Sequence, residues 1–213
     1  MENGGWYRVD IPGTELSVLS LDTLYYNSRD TLPAESTGNE QLVWLRKQMA
    51  ESDEDHKFII VEHIYETASY WFGAWDNWKE DKDWNEYVDI LQTYRDKVVF
   101  EATGHDHLMS IRYSRVAESD SSSPTALNKV LFPAVSSTSR TNPGFSTFIY
   151  DTESGQAENL KSTFIQLSKT YGLPETTQNS ELPFFEVDFS AKYGLANLSG
   201  DAIEALVESL STD

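Results

Sequence analysis

Two short apolar runs, each leading to histidine, stand out along the chain. Phe58-Ile59-Ile60-Val61 leads through Glu62 to His63, and Val98-Val99-Phe100 leads through Glu101-Ala102-Thr103 to Gly104-His105-Asp106-His107. Runs of this length, bounded by polar residues and rich in β-branched and aromatic side chains, predict strands of the buried, parallel-sheet kind. Leu16 to Leu24 alternates apolar with small or polar residues and predicts a further strand. Between these strands the period changes. From Glu40, Leu42, Leu45 and Met49 fall on one helical face, and Asp83 to Tyr94 returns to helical spacing with Asp83 placed as an N-cap. Strand, helix, strand, helix, strand is the order of an α/β fold.

The rest of the chain is less regular. Asn27 to Asn39 and Glu118 to Thr125 are rich in small and polar residues and predict loops. Tyr65 to Trp78 carries six aromatic residues without a clean period and predicts an aromatic-lined loop directly after His63. Met109–Tyr113, Val130–Val135 and Phe145–Tyr150 predict strands, the last two joined by a turn at Asn142-Pro143-Gly144. The tail ends in an amphipathic helix with Ile203, Leu206, Val207 and Leu210 on one face.

Composition narrows the function classes. The chain has 213 residues, enough for one domain with a sizeable core. It carries 35 acidic against 16 basic residues, for a net charge of −19. No basic cluster is present to bind a phosphate backbone, so a nucleic-acid polymer is not an expected partner. There are no cysteines, which excludes disulfides, thiolate metal sites and a cysteine nucleophile. No apolar run is long enough to span a bilayer, and the first residues show no signal-peptide pattern.

Three of the four histidines lie just beyond apolar strands. Parallel strands present ligands beyond their carboxyl ends, and neutral imidazole is a common metal ligand. In an extended segment, His105 and His107 point the same way, so they can converge on one metal or diverge to two neighbouring ones. A divalent ion there would polarise phosphate and generate hydroxide from water.

Gly104-His105-Asp106-His107, joined to His63-Ile64 by an intervening helix, resembles the second half of a calcineurin-like metallophosphoesterase. The narrower resemblance is to the acid sphingomyelinase-like phosphodiesterases. It is carried by Leu19-Ser20-Leu21-Asp22-Thr23 with Tyr25-Tyr26, Glu40 with Trp44-Leu45, Asn142-Pro143-Gly144-Phe145 with Tyr150-Asp151, and Tyr193-Gly194-Leu195 with Leu198-Ser199. That resemblance implies the C-terminal half of a metallophosphoesterase β-sandwich flanked by helices. It divides the chain into residues 1–155, the C-terminal part of the metallophosphoesterase domain, and 156–213, a mostly helical C-terminal extension.

The resemblance also implies metal-dependent hydrolysis of a phosphodiester, either a lipid head group or a nucleotide-like compound. His63 and His105 would hold the second of two divalent ions and His107 the first, the metal in this branch being zinc. Tyr65, Trp71, Trp75 and Asn142 are the expected substrate-binding residues. Family members are often secreted or lysosomal. Two departures stand out. Ile64-Tyr65-Glu66 replaces the family's Ile-Pro-Pro, and no Asp-x-His, Gly-Asp or Gly-Asn-His motif precedes His63. His56 matches none of them, so no catalytic residue is assigned. The expected activity is therefore incomplete in this chain, needing a missing N-terminal half or a partner chain. The alternative is a non-catalytic structural or interaction subunit. Open edges are expected at Leu16–Leu24 and Phe58–Glu62.

Overall fold

Four parallel strands carry the molecule. A computed structural model describes residues 4–27, 37–66, 78, 81–114, 127–138, 140–174, 177–178 and 181–210. Within them β1 (Tyr7–Asp10) turns back into β2 (Leu16–Ser20), α1 (Thr37–Ala50) leads to β3 (Lys57–Val61), and α2 (Asp81–Thr93) leads to β4 (Val98–Thr103). The chain continues through β5 (Ser110–Ser114), β6 (Leu127–Leu131), β7 (Gly144–Asp151), β8 (Gln156–Ile165), α3 (Leu167–Thr170), β9 (Phe184–Asp188), α4 (Phe189–Tyr193) and α5 (Gly200–Leu210). The larger sheet has the order β1-β2-β3-β4-β6-β5, with β2, β3, β4 and β6 parallel. A second sheet has the antiparallel order β7-β8-β9.

Each sheet face has its own core, and side-chain alternation along the strands separates them. Phe58 and Ile60 of β3 pack with Leu42, Leu45 and Met49 of α1 and with Tyr87, Ile90 and Leu91 of α2. Ile59, Phe100 and Ala102 face the other way, toward Ala157, Leu160 and Phe148 of the second sheet and Ile203 of α5. The Phe100 and Phe148 ring centroids are 4.1 Å apart, which makes the two sheets a sandwich. The fold is α/β, as expected. Among the described residues no helix is long and apolar enough to cross a membrane.

Several boundaries differ from the sequence reading for local reasons. The strand expected over Leu16–Leu24 stops at Ser20, because Asp22 Oδ1 accepts from Leu24 N and starts a single turn of 3₁₀ helix, Thr23–Tyr26. Asp83 lies inside the first turn of α2 and is buried, so it does not cap the helix. The strand expected to reach Val135 ends at Leu131, ahead of Pro133, which has no N–H for a ladder. Residues 156–213 contain β8 and β9 as well as helices, and the boundary at residue 155 falls in the β7–β8 hairpin. Lys169-Thr170-Tyr171-Gly172 and Ala191-Lys192-Tyr193-Gly194 look alike because each ends a short helix. Gly194 closes α4 with φ of 68°, a left-handed conformation that favours glycine.

The strands expected to lie at open edges are interior. β1 covers β2, and β3 lies between β2 and β4, so the edges of the larger sheet are β1 and β5.

Ile60 is fully buried in β3, whereas its neighbour Val61 is 37% exposed. Ile60→Ala is expected to lower stability by about 2–5 kcal/mol. Val61→Ala should stay within roughly 1 kcal/mol of the parent. Urea unfolding of the two variants checks this alternation.

Candidate functional site

Parallel pairing sets the carboxyl ends of β2, β3 and β4 side by side, and backbone contacts bind them into one rim. Thr23, just past β2, accepts through Oγ1 from His63 N at 3.3 Å and Ile64 N at 2.8 Å. From the other side, Thr103 Oγ1 and Gly104 N donate to the His63 carbonyl at 3.2 and 3.3 Å. The His63 peptide is therefore held by both neighbouring strands. The His63 and His105 rings meet nearly at right angles, 84°, with centroids 5.4 Å apart. A Cβ on Gly104 would lie only 3.2 Å from His63 Nδ1, so glycine leaves room for that ring. Although His63 meets solvent, partial burial lowers its pKa, and the charge of His107 lowers it further. His63 is thus held toward the neutral, ligating form.

The loop after β4 is strained. His105 and His107 have φ of 73° and 58°. Such left-handed residues cost of order 1–3 kcal/mol each and persist where their surroundings dictate them. The residue between them supplies that constraint. Asp106 is buried, accepts a hydrogen bond from the Tyr65 hydroxyl, and lies 3.6 Å from Arg112 Nη2.

Beneath this rim lies a buried ionic cluster. Lys129 of β6 sits between Glu101 of β4, its partner across the parallel ladder, and Glu62 and Glu66 of the segment after β3. Its Nζ lies 3.0 Å from Glu62 Oε1 and 2.9 Å from Glu101 Oε2, and it also contacts Glu66. The Tyr87 hydroxyl donates to Glu101 Oε2 at 2.7 Å. Among the described residues, these three glutamates form the group whose ligand atoms, all within 4.8 Å of one another, have the spacing to surround one ion. The cation already in that position is the Lys129 ammonium.

Three carboxylates outnumber one ammonium, and burial disfavours every charge. Burial raises the Glu62 pKa to about 8, with Glu101 and Glu66 adding to the effect and Lys129 opposing it. Burial likewise raises Glu101, against the pull of Lys129. For Lys129, burial acts to lower the pKa, but the three glutamates outweigh it and hold the value well above that of an ordinary lysine. Glu62 Oε2 has no hydrogen-bond partner among the described residues, which suits the carboxyl that keeps its proton.

The other residues singled out in the sequence fall elsewhere. Tyr65 is fully buried and supports the histidine loop from below. Asn142 lies at the entry to β7, where its Oδ1 accepts from Leu167 N at 3.1 Å. Trp71 and Trp75 lie outside the described residues. His56 precedes β3, at the far end from the rim. Its Nε2 is 2.7 Å from Ser17 Oγ and its Nδ1 is 3.3 Å from Glu15. The order serine, histidine, acid has the spacing of a nucleophile relay. However, Ser17 is completely buried and its hydroxyl donates to Asp10 at 2.6 Å, so no substrate can reach it.

Along its whole length the chain is 23% identical, over 222 residues, to Sphingomyelin phosphodiesterase B of Dictyostelium discoideum. A second match, 31% identical over 109 residues and 48% of this chain, is to the Endopolyphosphatase of Neurospora crassa. At these identities the two matches support a likeness to the calcineurin-like metallophosphoesterases. That family comprises phosphoesterase-type hydrolases that work with divalent metals. The chain spans 32% of the first relative and 14% of the second. No family model matches it. Among solved structures, one titled Structure of PhoD aligns with 75% of this chain and 38% of its own, at 12% identity and a TM-score of 0.44.

Two measurements test the buried cluster. Lys129→Met should cost about 3–5 kcal/mol near neutral pH, because it leaves buried carboxylates without their cation. Glu62 binds its proton more tightly folded, with a pKa of about 8, than at its ordinary 4.5. Its contribution to stability is therefore complete below about pH 4.5 and lost as pH rises through about 8. Urea midpoints at pH 5 and pH 8.5 should show Glu62→Gln gaining on the parent as pH rises. An equal difference at both pH values would contradict that assignment.

Proposed function

We propose that this chain is the histidine-bearing part of a metal-dependent phosphodiester hydrolase of the sphingomyelinase-like type, completed by residues outside it. The observation that carries this reading is the rim at which β3 and β4 end. There His63 and His105 stand 5.4 Å apart, beside a glycine that makes room for the ring. Neutral imidazoles fixed by backbone hydrogen bonds are a donor set suited to zinc. His63 and His105 would hold one ion and His107 a neighbouring one. When bound, such ions supply Lewis acidity toward phosphate and a hydroxide at neutral pH.

The chain's own residues orient that site. Thr23 and Thr103 fix the His63 peptide, and partial burial keeps its ring in the ligating form. Trp71, Trp75 and Asn142 are proposed to meet the substrate, a phosphodiester with a lipid or nucleotide-like head group. Asn142 would do so through its amide nitrogen, since its Oδ1 accepts from Leu167. Three histidines split over two ions leave each short of the usual four ligands. The remaining ligands and the catalytic acid are therefore assigned to a missing N-terminal half or a partner chain, which would dock along a free strand edge such as β1 or β7.

A second reading, a non-catalytic interaction subunit, draws on the buried glutamates. The described group with single-ion spacing already holds the Lys129 ammonium in the position an ion would take.

Zinc titration by calorimetry separates the two. Binding by the parent chain that is lost in His105→Ala supports the metal-site reading, and absence of binding supports the interaction subunit. The chain alone is expected to hydrolyse a chromogenic phosphodiester weakly or not at all. Robust zinc-dependent turnover, abolished in His105→Ala, would show instead that the chain completes its own site.

A further inference from the structure

The loop after β3 and the loop after β4 are joined at their centres by a buried hydrogen bond, from the Tyr65 hydroxyl to Asp106 Oδ2. Tyr65 lies two residues beyond His63, and Asp106 separates His105 from His107. From this geometry we infer that Tyr65 and Asp106 are positioning residues that fix the aim of His105 and His107 relative to His63. The use of this device rests on the metal-site reading above, but its geometry does not.

The surroundings leave Asp106 little freedom. Tyr65 is 0% exposed and Asp106 is 1% exposed. Arg112 of β5 closes the site from the other side. Its Cζ lies 4.5 Å from the Tyr65 ring centroid, and its Nη2 is 3.6 Å from the same Asp106 oxygen that Tyr65 reaches. Asp106 N donates to Gly104 O at 3.0 Å, which tightens the turn. A buried carboxylate that accepts from a phenol and faces a guanidinium is held strongly, because the low local dielectric strengthens both contacts.

The backbone gives this anchor its consequence. His105 and His107 flank it in left-handed conformations, φ 73° and 58°. For a residue with a Cβ, that region is occupied when its neighbours hold it there. The side-chain direction of each histidine follows from its φ. Releasing Asp106 lets both residues return to negative φ and turns their rings away from His63. The same contact passes through Tyr65 to the loop that carries His63, so the two ligand-bearing loops move as a unit. A plain turn anchor would hold the loop folded but would leave the histidine geometry unchanged when only the Tyr65 hydroxyl was removed.

The test uses three variants of the full chain. Tyr65→Phe keeps the ring under Arg112 and removes only the donor. Asp106→Asn keeps an acceptor for Tyr65. Asp106→Ala removes the anchor. In the metal-free chain, three-bond HN–Hα couplings and imidazole resonances of His105 and His107 should shift in Tyr65→Phe and Asp106→Ala. They should return most of the way in Asp106→Asn, while Phe58 and Ile60 stay unmoved. Unchanged histidine couplings and resonances in both Tyr65→Phe and Asp106→Ala would overturn the inference, whatever metal does. Cobalt titration is read separately. Affinity should fall about 10–100-fold in Asp106→Ala and recover in Asp106→Asn. A parent chain that binds no cobalt would count against the metal-site reading, while the metal-free couplings would still decide the positioning role.

Discussion

A lysine ammonium buried among three carboxylates is the constraint on which the larger sheet is built. Lys129 would not remain charged in that position without Glu62, Glu66 and Glu101, and they could not pack there without it. The four residues come from β4, β6 and the segment beyond β3, with Tyr87 of α2 bonded to Glu101. A one-residue slip of β6 would turn Lys129 to the opposite face and leave the acids unpaired. The cluster thus specifies strand register and helix placement together, which an apolar core of the same volume would do less strictly.

The histidine rim stands directly on that foundation. Glu62 precedes His63 and Glu66 follows it by three residues, so two contacts to Lys129 bracket the turn that presents the imidazole. Tyr65, between them, reaches across to Asp106. The ring of Tyr65 also lies 6.0 Å from Lys129 Nζ, which brings the ionic cluster and the strained loop into one polar network. Such support suits the metal site proposed for these histidines, because small displacements of a donor weaken coordination.

The departure after His63 from the pattern of the family this chain resembles has a physical account in this network. Where Ile-Pro-Pro is usual, Tyr65 and Glu66 stand here, and each has a partner: Asp106 for one and Lys129 for the other. Two prolines would stiffen the turn through their fixed φ. This chain stiffens the same turn with a hydrogen bond and an ion pair drawn from β6 and the loop after β4.

Much of the architecture was legible in the pattern of residues. Apolar runs at Phe58–Val61 and Val98–Phe100, with helical spacing between them, determine parallel strands joined by helices, and such strands carry His63 and His105 to one edge. Local signals settled less. The hydrogen bond that ends β2 at Asp22, the extra hairpin strand β1 and the true start of α2 depend on competing contacts that propensity does not weigh. Glu62, Glu101 and Lys129 were visible only as charges within or beside apolar runs. Their meaning required knowing that Glu101 and Lys129 are ladder partners, though they are far apart in sequence. Asp106 likewise carries no local signal of its role, which its contact with Tyr65 sets. The sequence by itself determined which residues lie on strands and which chemistry they can offer. The tertiary structure alone decided which charges meet, because buried electrostatics depends on distances between distant segments, and local periodicity carries no information about those distances.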